Sequence, residues 1–260
     1  MIFKIATWNV NSLRVRLPHV LEWMEKAQPD VLALQEIKLI DADFPLKEIE
    51  ARGYKAIYSG QRTYNGVAVL TREVGQHKVT DIPGWEDPQR RLLAVTMGDV
   101  RIVNVYIPNG ESVDSDKYHY KLNWLQHFTT FLKNELQTYS KLIVLGDFNI
   151  APNEDDVHDP KLWEGRVLFS EQERKAFATL LQQGLIDCFR LHPQQDKSFS
   201  WWDYRMNSFK RNLGMRIDHI LSSSTLALQC TKCYIDKLPR GWERPSDHTP
   251  VVGEFRLDSL

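Results

Sequence analysis

The sequence predicts an α/β sandwich of mixed β-sheets with helices outside. Three observations predict it. Short apolar strand patterns alternate with amphipathic helix patterns along the whole chain. Hairpin signals lie among them, which a purely parallel sheet would not contain. The two halves also look alike, each with an apolar strand that ends in acidic or amide residues and is followed by hairpin strands. No Gly-, Pro- or Ser-rich linker divides the chain, so one domain over residues 1–260 is expected.

The elements follow in order. Residues 2–8 are an apolar strand that stops at Asn9 and Asn11. Residues 13–26 read as a helix, because Leu13, Leu17, Val20, Leu21 and Met24 share one face; Pro29 and Asp30 close it. Residues 31–34 are uniformly apolar, as in a strand buried on both faces, and run into Gln35 and Glu36. A short helix over 44–51 stops at Gly53, and strands 54–58 and 67–71 flank a turn with Asn65 and Gly66. Residues 92–97 and 100–106 form a hairpin around Gly98 and Asp99.

Residues 118–139 are a long amphipathic helix, and 141–145 a buried strand leading into Gly146 and Asp147. A polar stretch spans 152–165. Helix 170–183 opens on a capping box of Ser170 and Glu173. Strands are expected at 199–202, 216–221, 225–235 and 251–257, with a basic polar loop at 207–214.

Lys and Arg number 33, Asp and Glu 34, so the net charge of -1 gives no global attraction to a polyanion. A nucleic-acid partner would need a local positive field. Arg14, Arg16, Lys38, Arg62, Arg90, Arg91, Lys210, Arg211 and Arg216 lie near the strand ends and could supply it. Trp201, Trp202, Tyr204 and Phe209 are interleaved with the last of these, a mixture that suits a nucleic-acid backbone and a base or sugar. Cys188, Cys230 and Cys233 form no disulfide framework, and a reducing, intracellular setting fits. Cys230 and Cys233, at odd separation on one strand, should face opposite sides. The N-terminus has no leader pattern and no window approaches a membrane span.

The chemistry sits at the strand ends. Apolar runs empty into Asn9 and Asn11, Gln35 and Glu36, Tyr106, Asp147 and Asn149, Asp218, and Asp247 and His248. Strand ends are rigid and open, which is where sites form. Glu36 with Asp and Asn partners offers hard oxygen ligands, favouring Mg²⁺ or Mn²⁺ over zinc. Asp147, Asp218 and Asp247 would repel one another unless a cation or a metal-bound phosphate joined them. His248 beside Asp247 suggests an imidazole oriented by a carboxylate. No Gly-x-Ser-x-Gly or P-loop is present, so direct attack by water is the simpler mechanism.

Six segments carry a resemblance: residues 7–14 (TWNVNSLR), 34–38 (LQEIK), 104–110 (NVYIPNG), 145–149 (LGDFN), 214–218 (GMRID) and 245–250 (PSDHTP). In this order they resemble the exonuclease III family of apurinic/apyrimidinic endonucleases. That family belongs to the superfamily of pancreatic deoxyribonuclease and of the inositol-polyphosphate and sphingomyelin phosphodiesterases. The likeness covers nearly the whole chain. It implies a four-layer α/β sandwich, two mixed β-sheets packed face to face with helices on the outer faces.

The resemblance also implies roles. Glu36 resembles the principal metal ligand, with Asn9 and Asn11 supporting the metal and water shell and Lys38 holding the acidic cluster. Tyr106 resembles a contact to the scissile phosphate. Asp147 resembles the carboxylate that orients or deprotonates the attacking water, and Asn149 its phosphate-positioning neighbour. Asp218 resembles the partner of His248, and Asp247 a second acid beside the metal; Asp147, Asn149 and His248 also count as candidate ligands. Asn109 and Arg91 resemble DNA-backbone contacts, and Trp201, Met215 and Ile217 the pocket for a flipped abasic sugar. Asn153, Lys210, Arg211 and Arg216 complete the expected substrate surface. Two positions depart: 11 is Asn where some relatives have Asp, and 215 is Met where many have Trp, a softer wall.

The expected activity is metal-dependent cleavage 5′ to abasic sites, trimming of 3′ ends, or both, on double-stranded DNA with abasic sites or damaged or recessed 3′ ends. The expected cofactor is Mg²⁺ or Mn²⁺, the expected state a monomer, and the expected setting the bacterial cytoplasm beside the nucleoid. Either Asp147 or His248 could be the general base. Two alternatives are a phosphodiesterase or phosphatase acting on lipid or inositol phosphates, and a non-catalytic nucleic-acid-binding protein.

Overall fold

A computed structural model describes residues 1–257; residues 258–260, the end of the expected domain span, lie outside the described residues. Side chains alternate faces along a strand, and here both faces are largely apolar. In β1 (Ile2–Asn9), Phe3 and Ile5 join one buried cluster and Ala6 and Trp8 another. After α1 (Leu13–Ala27), β2 (Val31–Gln35) divides in the same way, Val31 and Ala33 against Leu32 and Leu34. The short α2 (Leu46–Glu50) precedes β3 (Lys55–Ser59) and β4 (Val67–Thr71). Leu13, Val20, Trp23 and Met24 of α1 cover the outer face of these strands.

The second half repeats the scheme. β5 (Gln76–Val79), β6 (Leu92–Met97) and β7 (Val100–Tyr106) lead through α3 (Asp116–Thr138) to β8 (Leu142–Asp147). Then come α4 (Pro160–Trp163), α5 (Glu171–Gln182), β9 (Leu185–Asp187), the small pair β10 (Trp201–Trp202) and β11 (Gly214–Met215), and β12 (Asp218–Ser223). The chain closes with α6 (Ser224–Ala227), β13 (Cys230–Ile235) and β14 (Val251–Arg256). Trp124, Phe128 and Leu132 of α3 pack with Phe177 and Leu180 of α5 on the outer face of β7 and β8. Truncating the fully buried Phe128 to Ala would cost about 3–5 kcal/mol.

Two six-stranded sheets result, ordered β13-β14-β1-β2-β4-β3 and β5-β6-β7-β8-β12-β9. Their inner faces share one apolar cluster and each outer face has its own, which makes four layers. In each sheet a parallel pair joined by a helical crossover, β1 with β2 and β7 with β8, is flanked by antiparallel strands. This repeat is what made the halves look alike in sequence. One polar link crosses the apolar interface. Gln35 donates to Asn104 Oδ1 at 2.7 Å, and Asn104 donates to the carbonyls of Leu34 and Ala68 at 3.0 and 2.9 Å.

Several expectations are corrected. Residues 225–235 are not one strand: adjacent Leu226 and Ala227 are both buried, which helix α6 allows and an alternating edge strand does not. The strand expected from 216 starts at Asp218, because the Arg216 N–H is bonded to the Asp156 carbonyl at 2.8 Å. Cys230 and Cys233 do not face opposite sides. The register against β14 shifts between Cys230 and Lys232, so both thiols enter the core. The helix expected over 44–51 shrinks to α2. The edge strands β5 and β9 and helix α4 were not expected.

Candidate active site

The parallel pairs of both sheets finish at one rim, where the polar tips meet. Asn9 ends β1 and donates through Nδ2 to Glu36 Oε1, just beyond β2, and to Asp147 Oδ2, at the end of β8, both at 2.8 Å. Asp147 stands in register with Tyr106 on β7 and Asp218 on β12. Leaving the rim takes unusual backbone: Asn11, Ser12, Glu36, Lys38 and Asn149 all have positive φ. Such conformations cost about 1–3 kcal/mol each where the side chain tolerates them poorly, and they cluster at functional sites.

Around Glu36, Lys38 Nζ lies 2.9 Å from Oε2 and donates to Asn11 Oδ1 at 2.6 Å. Asn11 Nδ2 donates onward to Asp247 Oδ1 at 3.0 Å, and Trp201 Nε1 donates to Asp247 Oδ2 at 3.0 Å. The amide oxygens of Asn9, Asn11 and Asn149 each already accept one hydrogen bond, from Asn11 N–H, Lys38 and Asn109. These amides thus tie the carboxylates together.

On the other side, His248 Nδ1 bonds Asp218 Oδ2 at 2.9 Å and its Nε2 faces Asp147 Oδ2 at 3.7 Å. Burial opposes the imidazolium, but the charges of Asp218 and Asp147 outweigh it and push His248 up to about 10. Burial pushes the Asp147 carboxyl up to about 7; the imidazolium works against this shift, and Asp218 and Glu36 add to it. Burial and then the Glu36 charge lift the Tyr106 phenol well above its usual range, against Arg91, so it remains a donor. Ligand atoms of Asp147, Asp218 and His248 lie within 4.8 Å of one another, so this triad could hold a metal ion, provided the ion displaces the imidazolium proton.

The remaining expected residues divide. Arg91 is nearly buried, donates to the Tyr106 carbonyl at 3.0 Å and packs over the Tyr106 ring, so it props the tyrosine. Asn109, exposed, reaches Asn149 Oδ1 at 3.1 Å and lines a 490 Å³ groove with Tyr106, Tyr64 and Lys117. A second groove of 440 Å³, lined by Ser12, Arg14, Lys38 and Arg62, approaches from the Glu36 side. Lys210 and Arg211 are exposed on the loop before β11. Asn153 is exposed and caps the turn at Glu154–Asp156.

Two expectations fail. Arg216 is buried, with its guanidinium on Asp156 at 2.6 and 3.1 Å and on Asp187 at 2.8 Å, so it holds the core and cannot meet DNA. Met215 and Ile217 are covered in a cluster with Val157 and Phe169; of the expected sugar pocket, Trp201 alone is partly open. Sequence reasoning missed Ser200, whose hydroxyl donates to Asp218 Oδ2 at 2.6 Å and accepts the Asp218 N–H at 3.1 Å. A serine before two tryptophans gave no signal for this.

Paired sheets with a carboxylate-rich rim and a carboxylate-held imidazole define a hydrolytic phosphodiesterase. The sequence model of the Endonuclease/Exonuclease/phosphatase family matches residues 6–248. The chain is 37% identical to Exodeoxyribonuclease III of Haemophilus influenzae, covering 97% of this chain and 100% of that one. The 3′ phosphatase NExo from Neisseria, solved bound to a product DNA hairpin, superposes with TM-score 0.96 at 45% identity, over 98% of this chain and 100% of that one. An AP endonuclease from Archaeoglobus fulgidus gives TM-score 0.95 at 35% identity, over 98% and 100%. The chain belongs to the Endonuclease/Exonuclease/phosphatase family, in its branch of exonuclease III and the AP endonucleases. It is an enzyme with a site of the DNA-repair phosphodiesterase type. No helix among the described residues is long and apolar enough to cross a membrane.

Proposed function

We propose that the protein hydrolyses phosphodiesters of duplex DNA beside abasic sites and at damaged or recessed 3′ ends, using Mg²⁺ or Mn²⁺. The observation that carries this reading is the convergence of Glu36, Asp147 and His248 on one rim through Asn9 and Asp218. The names of the relatives, an exodeoxyribonuclease, a 3′ phosphatase and an AP endonuclease, support the substrate class.

The donor set fits a hard divalent cation. Four carboxylates, Glu36, Asp147, Asp218 and Asp247, gather at the rim, and the cationic side chains paired with them are Lys38 and His248. Glu36 would be the principal ligand, with Asp247 beside it and the amides of Asn9 and Asn11 in support. An ion held there would supply positive charge that stabilises the phosphate as negative charge grows in cleavage.

The chain does the rest. Asp147, fixed by Asn149 N–H at 2.9 Å and Asn9 Nδ2 at 2.8 Å, aligns the attacking water and accepts its proton. His248, held charged by Asp218, donates from Nε2 to a phosphoryl oxygen. Tyr106 donates to another. Asn149 Nδ2 keeps its 2.9 Å bond to the Ile107 carbonyl and exchanges its weaker 3.3 Å contact with Asp147 for phosphate. An abasic nucleotide has no base to unstack, so turning it toward Trp201 costs less than turning out an intact one. Exposed Lys210 and Arg211 and the two grooves would follow the backbone.

We also place the enzyme in the cytoplasm as a one-domain monomer; three free cysteines fit a reducing compartment. The test supplies purified protein and Mg²⁺ with a duplex carrying one abasic analogue, a duplex with a recessed 3′ end, and an inositol phosphate. Cleavage of either duplex without turnover of the inositol phosphate is expected. The reverse pattern would overturn the proposal.

A further inference from the structure

One fully buried lysine outside the rim is wired directly to it. Lys121 lies on α3 beneath the site, and its Nζ uses all three protons. One goes to the Asn149 carbonyl at 2.7 Å, one to the Asn109 carbonyl at 3.0 Å, and one to the Glu173 carboxylate. Glu173, also fully buried, anchors the start of α5 through the N–H groups of Leu168 and Ser170. The stem is confined as well: a Cβ on Gly110, at φ +96, would meet Lys121 Cδ at 3.2 Å.

Burying an ammonium is costly, and an ion pair alone does not make it a gain over apolar packing. What an apolar pair could not do is hold two carbonyls. Asn149 sits at φ 50, a conformation an asparagine leaves readily unless its peptide is tied down. Its side chain is bonded to Asp147 and to Asn109, the two residues between which a phosphate oxygen would enter. We propose that Lys121 is a positioning residue: it fixes the backbones of Asn109 and Asn149 together, and so sets where the two asparagine side chains meet the phosphate. The inference rests on the site assignment above and adds a residue to it that does not touch substrate.

The experiment compares Lys121→Met combined with Glu173→Gln, Lys121→Gln alone, and Asn149→Ala in cleavage of the abasic duplex. The double variant removes both buried charges together and keeps a capping-box residue at position 173, so it leaves no buried charge unpaired. Its kcat falls about 100-fold, the loss expected from a misplaced contact near 1 Å in size, while KM for DNA stays within about threefold. Lys121→Gln, whose amide nitrogen stands one bond nearer the backbone than Nζ and so cannot hold both carbonyls in place, serves where the double variant does not fold, and its kcat falls about tenfold. Wild-type kcat in either folded variant overturns the role of Lys121. If Asn149→Ala also cleaves like wild type, the site assignment itself falls; if Asn149→Ala is inactive, only Lys121 does.

Discussion

His248 and Asp218 form a buried pair, Nδ1 to Oδ2 at 2.9 Å, that aims the other ring nitrogen at Asp147. Asp218 is itself fixed by Ser200 and by its place in register opposite Asp147. The imidazole therefore has one orientation and one charge state, which a donor to a phosphoryl oxygen requires.

Asp218→Asn should leave the fold intact and lower kcat by about a thousandfold, since the amide no longer stabilises the imidazolium and presents an N–H to Nδ1. Single-turnover cleavage beside a melting curve checks it. A loss of only a few-fold would mean that His248 works without its partner.

His219 gives a pH signature of stability. Buried, with Nε2 on the Ile150 carbonyl and Nδ1 on Arg216, it is pulled down to about 4 by burial and by the Arg216 charge. The folded state thus binds fewer protons than the unfolded chain, whose histidine keeps the ordinary 6.5. That stability is fully present above 6.5 and is lost as pH falls through the folded value. His219→Gln, which keeps a donor and an acceptor, should melt close to wild type at pH about 8 and above it at pH about 4.5. Parallel melting curves at both pH values would contradict this.

The strand tips were legible because an apolar run that ends in Asn, Glu or Asp breaks its own pattern. Glu36, Asp147 and His248, far apart in sequence, could be grouped for that reason. Arg216 was misread because a guanidinium looks the same in sequence whether solvated or locked on Asp156 and Asp187. The facing of Cys233 was misread because a single bulge reverses the faces of a strand and leaves no mark in composition. Strand β5 (QHKV) was invisible because its exposed edge carries no apolar alternation. Lys121 gave no signal in the sequence, because its partners come from two distant loops and from α5.

Two substitutions should separate core arginine from surface cation. Arg216→Met leaves Asp187 without its cation and Asp156 with Arg190 alone, and should cost about 3–5 kcal/mol of stability. Lys210→Ala with Arg211→Ala should leave the melting temperature unchanged and weaken duplex binding, reducing the salt slope by about 1–2. Filter binding across a salt series, with calorimetry, distinguishes them; unchanged binding in the double variant would remove that loop from the DNA path.

The central claim, a rim of carboxylates that holds a hard cation against a phosphate, is tested most directly by assaying the abasic duplex after all divalent ions are stripped, then titrating Mg²⁺ back into wild type and Glu36→Gln. Wild type should be silent without the ion and recover with it, and Glu36→Gln should need far more Mg²⁺. Undiminished cleavage in the stripped sample would contradict the account.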